Sequence, residues 1–314
     1  MANEVEIIRY PKINNVNIFI VAMEYRTPHL HRDFEIDFIM EGNLTLVCNN
    51  ERYMCGTGDF LLLNPNQSHE IFTHGEVGAT ILCIQVSPRF FRDTLSVMSD
   101  VFFEKVKFGA SEGEWQTKIA KIFVNSAIAY VDSDLSSQLL CASKLNKIFY
   151  LLLQAVPHHY LSFVEQQDLQ YKAKRILRLI DFVDANFMHK INLQDFAEAE
   201  GVSLNHMSYF IKSNLNQTFQ EYVTNVRFNH ARKLLFADNK RLIDICLESG
   251  FSDPRYLTKA FMQKTGLRPN EYRRKYTRQK TEEQYQISLH SSQKFYSDEE
   301  AVRILSYVNT SLWN

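Results

Sequence analysis

The first part of the chain alternates apolar and polar residues over short runs. Between residues 18 and 86 these runs include EIDFIM, LTLVC and FLLLN. Turn residues separate them, among them Gly42, Asn49, Asn50 and Gly58. Alternation with a period of two, interrupted by closely spaced turns, is typical of short antiparallel strands. This part of the chain therefore predicts a β-barrel or a β-sandwich.

The apolar spacing changes to that of helices further along. Residues 114–156 predict two helices with a break near Asp132, and the second of these helices is rich in leucine. Pro157 and the polar run at 165–168 then indicate a linker. Residues 171–278 keep helical spacing throughout. We therefore predict an α+β protein of two domains, with strands in the N-terminal domain and an all-α C-terminal domain.

Residues 242–274, LIDICLESGFSDPRYLTKAFMQKTGLRPNEYRR, have the spacing of a helix-turn-helix unit. The apolar stripe predicted for its first helix consists of Leu242, Ile243, Cys246 and Leu247. Gly250 supplies a flexible turn residue between the helices. Ser252 or Asp253 can cap the second helix, and Pro254 suits its first position.

The second helix of this unit has a polar outer face. Leu257 and Phe261, four residues apart, point into the core. The outward positions are then Pro254, Arg255, Thr258 and Lys259. A helix with such a face can enter a DNA groove.

A weaker copy of this pattern lies 49 to 50 residues earlier. Gly201 takes the place of the turn glycine and Ser203 that of the cap, while Met207 and Ile211 occupy the two core positions. Between the units, residues 218–236 predict a helix of roughly 30 Å, close to the 34 Å of about one DNA turn. One chain could thus present two recognition helices to successive major grooves.

The 242–274 segment resembles the C-terminal motif of the AraC/XylS family of bacterial transcription regulators, and the resemblance extends over residues 171–276. The positions that carry it are Ile243, Cys246, Gly250, Phe251, Asp253, Tyr256, Leu257, Lys259, Phe261, Gly266, Pro269, Tyr272 and Arg273. The resemblance implies that DNA is contacted by Asn205, His206, Ser208, Tyr209, Lys212, Pro254, Arg255, Tyr256, Thr258, Lys259 and Arg273. Among them, Arg255 and Lys259 suit the acceptor edge of guanine and Asn205 suits adenine, and the same residues can equally hold phosphates.

The first unit departs from the family pattern at three positions. Tyr209 stands where Arg is usual, which puts a guanine contact there in doubt. Ile211 stands where Phe is usual, which repacks a core position. Asn216 stands where Gly is usual, and Asn tolerates the left-handed backbone that ends a helix.

The barrel region contains the pattern H-x-H-x3-E-x6-G, formed by His29, His31, Glu35 and Gly42, with His69 further on. The pattern resembles the cupin barrel and, more narrowly, the sensor barrel of AraC-type regulators. In enzymatic cupins the positions of His29, His31, Glu35 and His69 hold a metal ion. The later motif GDFLLLNPNQSHE is irregular here, with Gln67 near where Gly is expected and His69 one residue early. AraC-type barrels with this pattern usually bind an effector without metal.

We therefore expect a small-molecule effector in the barrel, with no metal and no other cofactor. The candidate effector-binding residues are Phe19, Tyr25, His29, His31, Glu35 and His69. Aromatic faces beside a carboxylate and imidazoles fit a hydroxylated ligand such as a sugar. Each of these residues can equally be an ordinary core or strand residue.

Charge separates the two halves more clearly than composition does. The 314 residues are 45% hydrophobic and 13% aromatic, which is a globular composition. Residues 1–170 carry 13 Lys+Arg against 20 Asp+Glu, a net charge of −7, whereas residues 171–278 carry 19 against 11, a net charge of +8. The second half therefore attracts phosphates. The five scattered cysteines predict reduced packing residues, and without a leader or a long apolar run we expect a cytoplasmic protein.

These features predict three segments: a cupin-like effector-binding and dimerisation domain at 1–165, an AraC-type DNA-binding domain at 166–278, and an extension of unknown role at 279–314. Within the extension, residues 297–312 predict an amphipathic helix. The function predicted is that of a sequence-specific transcription regulator, activation being the commoner outcome in the family. Its expected partners are double-stranded DNA, the effector, a second copy of the chain and RNA polymerase. The alternatives are a metal-dependent cupin enzyme fused to a DNA-binding module, and a constitutive DNA-binding dimer without effector.

Overall fold

The N-terminal half folds into a strongly curved antiparallel sheet that nearly closes into a barrel. The computed structural model describes residues 8–73, 78–109, 114–132, 134–237, 240–279, 286–287 and 290–311. The strands of the barrel region are β1 (Val16–His29), β2 (Phe34–Glu41), β3 (Asn43–Cys48), β4 (Glu51–Gly56), β5 (Phe60–Leu63), β6 (His69–Thr73), β7 (Ala79–Val86), β8 (Val101–Phe103) and β9 (Lys107–Phe108). The hydrogen-bonded order is β4-β3-β6-β1-β7-β2-β5-β9. The predicted turns are confirmed, because Gly42, Asn49, Asn50 and Gly58 all have positive φ.

The sheet buries both of its faces over most of its strands, whereas the edge strand β4 is largely exposed. One face lines the inside of the barrel, with Leu46, Leu61 and Ile81 among its fully buried side chains. The other face packs against α1 (Glu114–Val131) and α2 (Leu135–Ala155), where the rings of Phe60 and Phe123 meet at 5.3 Å between centroids. The predicted break between these helices is confirmed, since Asp134 caps the start of α2.

The polar run at 165–168, predicted as a linker, is helical. It lies in the first turns of α3 (Phe163–Asn186), which follows the short strand β10 (His158–Tyr160). Ser162 and Glu165 form a capping box, in which each side chain accepts a hydrogen bond from the other's backbone N–H. The linker prediction was therefore wrong, because reciprocal capping starts a helix among these polar residues.

Two small apolar cores hold the C-terminal helices together. After α3 come α4 (Leu193–Ala199), α5 (Leu204–Leu215), α6 (Phe219–Ala237), α7 (Leu242–Glu248), α8 (Pro254–Thr265) and α9 (Pro269–Gln279). The α6 helix serves both cores, with Tyr222 and Val226 in the first and Phe228 and Leu235 in the second. The two predicted helix-turn-helix units are thus α4–α5 and α7–α8, connected by α6.

The apolar face of α7 differs from the predicted stripe. Ile243 and Leu247 are 43% and 62% exposed, whereas Ile245 and Cys246 are fully buried. The buried face also includes Ser249, which is 0% exposed. The predicted stripe and the buried face both recur at helical spacing. The prediction was wrong because the buried face contains a polar residue, Ser249, and so looks less apolar in the sequence.

The C-terminal segment returns to the barrel. It contains β11 (Gln286–Ile287), β12 (Ser291–Phe295) and α10 (Asp298–Ser311). The β12 strand pairs antiparallel with β1, and α10 packs against α1. Ala301 and Leu305 are buried in the same core as the sheet and α1. The predicted helix at 297–312 is present as α10, although Leu312 lies outside the described residues. The C-terminal helices α3–α9 are thus inserted between two parts of the barrel half.

The barrel and the inserted helices share a buried interface. The Leu30 side chain, which follows β1, lies in the core of the first helix-turn-helix unit. Arg232 of α6 is buried with its guanidinium 4.0 Å from the centroid of the Tyr25 ring. His290 Nε2, just before β12, lies 2.9 Å from Asp184 Oδ2 of α3. The barrel side of this interface is thus formed by β1 and the segments next to it and by the residue before β12, and the helical side includes α3 and α6.

Within the described part of the chain, every helix is too short or too polar to span a bilayer.

Candidate DNA-binding surface and barrel site

The second helix of each helix-turn-helix unit has the ends that the sequence predicted. Ser203 Oγ accepts a hydrogen bond from His206 N at the start of α5, and Asp253 Oδ1 accepts one from Arg255 N at the start of α8. Of the two predicted caps for α8, Asp253 is therefore the one used. Asn216 ends α5 in the left-handed conformation, with φ 51°. The Asn substitution of the usual Gly thus preserves the helix end.

The predicted contact residues of the first unit lie on the outer face of α5. Asn205, His206, Ser208, Tyr209 and Lys212 are all exposed. Tyr209 is the most open of the large apolar side chains in this helix, at 76% exposure. The opposite face of α5 is fully buried in the first core. The helix therefore presents these five side chains to solvent together.

The predicted contact residues of the second unit differ more in exposure. Those on α8 that are exposed are Pro254, Arg255, Tyr256 and Lys259, whereas Thr258 is half-buried. Arg273 of α9 is also half-buried, and its Nη2 donates a hydrogen bond to the Lys240 carbonyl at 2.8 Å. Part of the Arg273 guanidinium therefore connects α9 to the loop between α6 and α7.

Arg255 is paired with the residue that caps its own helix. Its Nε and Nη2 donate to Asp253 Oδ1 and Oδ2, each at 3.0 Å. These hydrogen bonds hold the pKa of Asp253 below its ordinary value. If Arg255 contacts a base, its guanidinium must therefore give up some or all of its hydrogen bonds to the Asp253 carboxylate.

A buried arginine that the sequence reasoning missed supports α5 from α3. Arg175 Nε donates to Glu200 Oε2 at 3.0 Å, and its guanidinium lies 5.2 Å from the centroid of the Phe210 ring. Its Nη1 is also 3.5 Å from His206 Nε2, beside the outer face of α5. The signal for this role was an arginine next to Ile176, within the apolar spacing of α3.

In the barrel, two histidines converge on one carboxylate. His31 Nε2 lies 3.0 Å from Glu35 Oε2, and His69 Nε2 lies 3.5 Å from Glu35 Oε1. All three side chains are buried. The ring of His29, also buried, lies 4.1 Å from that of His69 between centroids. The structure thus brings together four of the predicted effector residues.

The backbone sets how these imidazole rings point. The Nδ1 atoms of His29, His31 and His69 each lie 3.0 Å from a backbone carbonyl oxygen two residues away. A proton on each Nδ1 completes these hydrogen bonds, and the rings of His31 and His69 are thereby held with Nε2 towards the Glu35 carboxylate. This is the usual way in which a protein orients histidines that bind a metal ion.

Burial and mutual charge determine the ionisation of this cluster. Burial alone raises the pKa of Glu35, but the charge and hydrogen bonds of His31 and His69 hold it well below its ordinary value. Burial lowers the pKa of His29 well below its ordinary value. The ligand atoms of His31, Glu35 and His69 all lie within 4.8 Å of one another. A carboxylate and imidazoles in this arrangement can bind a divalent ion or a polar organic group.

The other two predicted effector residues contact other side chains. The Phe19 ring packs against Phe295 of β12 at 5.3 Å between centroids, and the Tyr25 ring lies under Arg232. A cavity lined by His69, the β3–β4 turn and the C-terminal end of α5 has a volume of about 10 Å³. That volume holds roughly one water molecule, so a sugar needs a wider opening at this point.

Two family models match the chain, an AraC-like ligand binding domain at residues 21–145 and a helix-turn-helix domain at residues 196–275. An uncharacterized HTH-type transcriptional regulator of Bacillus subtilis, YbfI, is 24% identical over 233 residues, or 73% of this chain and 80% of that protein. The lactose operon transcription activator of Staphylococcus xylosus is 26% identical over 145 residues, or 46% of this chain and 50% of that protein. The crystal structure of ToxT from Vibrio cholerae O395 covers 83% of this chain and 98% of its own, at 15% identity and a TM-score of 0.39. This chain therefore spans most of the first relative but only half of the lactose operon activator.

Proposed function

Because the chain belongs to the AraC family of transcription regulators, with an N-terminal ligand-binding domain and a helix-turn-helix DNA-binding domain, we propose that α5 and α8 enter successive major grooves of one operator under the control of a sugar bound in the barrel. The observation that carries this proposal is the pairing of two exposed recognition faces on one connecting helix. The α6 helix has 19 residues, or about 28 Å at 1.5 Å per residue, which approaches one turn of DNA.

The contact residues follow from these two faces. On α5 they are Asn205, His206, Ser208, Tyr209 and Lys212, and on the second unit Pro254, Arg255, Tyr256, Thr258, Lys259 and Arg273. Arg255 and Lys259 suit the acceptor edge of guanine, whereas Asn205 suits adenine. The net charge of +8 on residues 171–278 supplies the nonspecific attraction to phosphates.

The effector is a carbohydrate in this proposal. A relative of this chain is, by its name, an activator of a lactose operon, and a carboxylate with imidazoles can hydrogen-bond hydroxyl groups. His69 of this cluster lines the same small cavity as the end of α5 at Leu215 and Asn216. A sugar that enters there displaces this end, and its preference for the displaced arrangement provides the energy of the switch.

We propose that the working form is a homodimer formed through the start of α2. Leu135, Leu139 and Leu140 are 75%, 68% and 50% exposed. The second half of the same helix packs against the barrel, with Leu145 and Ile148 fully buried. The exposed leucines and the packed side chains thus lie on different parts of the helix. Exposed leucines in sequence-adjacent turns are typical of an interface between subunits.

We further infer that the chain regulates and does not catalyse, and that it activates transcription through contact with RNA polymerase. The relatives named above are transcription regulators. In this arrangement residues 166–278 form the DNA-binding domain, and residues 1–165 form the effector and dimerisation domain.

Selection of DNA duplexes from a random pool by the full chain tests the proposal. We expect an enriched sequence with two half-sites about one helical turn apart for each chain. Fluorescence anisotropy on that duplex, with lactose and a panel of other sugars, then measures the effector response. Absence of any enriched sequence contradicts the DNA-binding proposal, whereas an enriched sequence with no response to any sugar contradicts the carbohydrate proposal alone.

A further inference from the structure

The side chain of Arg175 joins the first recognition helix to two other helices. Arg175 lies on α3 and is 3% exposed. Its Nε donates to Glu200 Oε2, at the end of α4, at 3.0 Å. Its Nη1 lies 3.5 Å from Nε2 of His206, in the first turn of α5. One guanidinium thus contacts side chains on both sides of the turn in the first helix-turn-helix unit.

This guanidinium is fixed by its other contacts. Its Nη2 donates to the hydroxyl of Tyr171, one turn earlier on α3. The rings of Tyr171 and Phe210 have their centroids 4.7 and 5.2 Å from the guanidinium carbon. Glu200 also accepts a hydrogen bond from Arg178 Nη2 at 2.7 Å, which holds the carboxylate in place. The planar fork cannot turn away from His206 without giving up hydrogen bonds.

The contact with His206 determines which ring nitrogen carries the proton. A guanidinium has N–H donors and no acceptor. Nε2 of His206 can therefore only accept, which places the ring proton on Nδ1. The His206 side chain is otherwise exposed on the outer face of α5. His206 thus offers an N–H donor at Nδ1, while Nε2 is occupied by Arg175.

A fixed donor distinguishes between base edges in the major groove. Guanine presents two acceptors there, O6 and N7, whereas cytosine presents the N4 amino group, which is a donor. A histidine that is free to exchange its tautomers pairs with either edge. With the proton on Nδ1 and with Nε2 occupied, the His206 ring can donate to guanine but cannot accept from cytosine.

We propose that Arg175 is a positioning residue for base recognition, which holds His206 with its proton on Nδ1, and that this N–H selects a guanine in the half-site contacted by α5. Arg175 is itself buried, so its effect on DNA passes through His206. The selection of guanine rests on the proposed function, whereas the tautomer of His206 does not.

The tautomer is tested by nitrogen NMR on the full chain with isotope-labelled histidine. The chain has ten histidines, and the signals missing from His206→Ala identify this ring. We expect a protonated Nδ1 and an unprotonated Nε2 in the wild type. Arg175→Lys should give a mixture of tautomers, because an ammonium lacks the fork that reaches Glu200 and His206 together.

Arg178→Lys is the matched control, because Arg178 pairs with the same carboxylate from a position that is 48% exposed. It should leave the His206 signals unchanged. A wild-type ring protonated on Nε2, or on both nitrogens, overturns the proposal, as does an Arg175→Lys spectrum identical to that of the wild type. Circular dichroism melts show whether the variants fold. If Arg175→Lys does not, the wild-type spectrum decides the tautomer, and His206→Ala, at an exposed position, decides the base.

Base selection is tested with the duplex that the full chain selects from a random pool. Each base pair is replaced in turn, and anisotropy measures the affinity. We expect one guanine at which His206→Ala and Arg175→Lys each reduce the preference over other bases by at least about fivefold. Preferences at the remaining positions, and all preferences of Arg178→Lys, should stay within about twofold of the wild type.

Guanine analogues that lack the N7 or the O6 acceptor identify the atom that is contacted. At least one of them should weaken binding of the wild type and leave that of His206→Ala unchanged. A sensitive position occupied by another base overturns the selection of guanine, and so does a loss of affinity shared equally by all duplexes, which indicates a phosphate contact. If the full chain selects no duplex, the proposed function fails, and the NMR spectra still decide whether Arg175 positions His206.

Discussion

Gly250 lies where the two helix-turn-helix units meet. Its φ is +74°, a left-handed value that residues with a Cβ rarely adopt. A Cβ there would lie 2.3 Å from the Phe187 carbonyl oxygen and 2.8 Å from Met188 Cα. The turn of the second unit is therefore packed directly on the backbone that follows α3. Gly201, the matching glycine of the first unit, has φ +66° but open space around a Cβ.

We predict that Gly250→Ala is far more destabilising than Gly201→Ala. Both changes incur the strain of a left-handed alanine, about 1–2 kcal/mol. Gly250→Ala adds an overlap with main-chain atoms, which should bring its total above about 3 kcal/mol. Chemical denaturation of both variants measures the difference. Equal losses of unfolding free energy would show that the close packing at Gly250 is not maintained in solution.

The outward residues of α8 provide a second prediction. Lys259→Ala and Arg255→Ala should each reduce the preference for the selected duplex over random DNA by about 1–3 kcal/mol if the side chain reads a base. A loss shared by both DNAs instead indicates a phosphate contact. Lys172→Ala is the control of equal charge, because Lys172 pairs with Asp168 on α3. If both α8 variants bind the duplex as the wild type does, the assignment of this face is wrong.

At the scale of elements, the sequence predicts features that depend on residues close in the chain, but it does not predict contacts between distant segments. Helical spacing predicts which side of α5 is exposed, and the His-x-His-x3-Glu motif predicts the barrel cluster, because both depend on residues close in the chain. The prediction for the buried face of α7 was wrong, because this face includes the polar residue Ser249. The position of Leu30 in another core and the pairing of β12 with β1 have no local signal. For example, the side chains of Thr27 and His290 form a hydrogen bond although they are 263 positions apart in the chain.

The contact between β6 and the inserted helices predicts a dependence of stability on pH. Burial raises the pKa of Glu70 to about 7, although the nearby Lys264 and Arg52 oppose the shift. The folded chain therefore binds more protons than the unfolded chain between about pH 4.5 and pH 7. The stability contributed by Glu70 is full below that window and is lost as the pH rises through it.

Glu70→Gln should remove this dependence. Between about pH 5 and pH 8, the wild type should lose about 1 kcal/mol more than the variant, a value reduced for the partial exposure of this side chain. Unfolding free energies across the pH range provide the measurement. Glu41→Gln, at the exposed end of β2, is the control, and it should follow the wild type. Parallel curves for Glu70→Gln and the wild type would contradict the assignment.

At the scale of the whole molecule, the C-terminal segment belongs physically to the barrel. Its strand extends the sheet at β1, and α10 covers α1. Leu305 is fully buried in the barrel core, whereas Tyr307 is 77% exposed on the same helix. The inserted helices are thus attached to the barrel at both of their ends, through α3 and through the segment that follows α9.

This arrangement predicts that the barrel loses stability when α10 is damaged. Leu305→Ala should cost about 2–4 kcal/mol of unfolding free energy, because it leaves a cavity in the barrel core. Tyr307→Ala, the control on the exposed face, should change it by less than about 0.5 kcal/mol. Thermal unfolding of both variants makes the comparison. Wild-type stability in Leu305→Ala would mean that α10 does not pack there in solution.

The place of β12 and α10 in the chain also affects the order of events during translation. Chains usually fold from the N-terminal domain onward as they leave the ribosome. Here the strand that extends β1 and the helix that covers α1 are synthesised after the helices α3–α9. The barrel therefore stays incomplete while the helices α3–α9 emerge and fold. We expect a nascent chain stalled before residue 286 to carry a formed helical domain beside a barrel that still exposes apolar surface to chaperones.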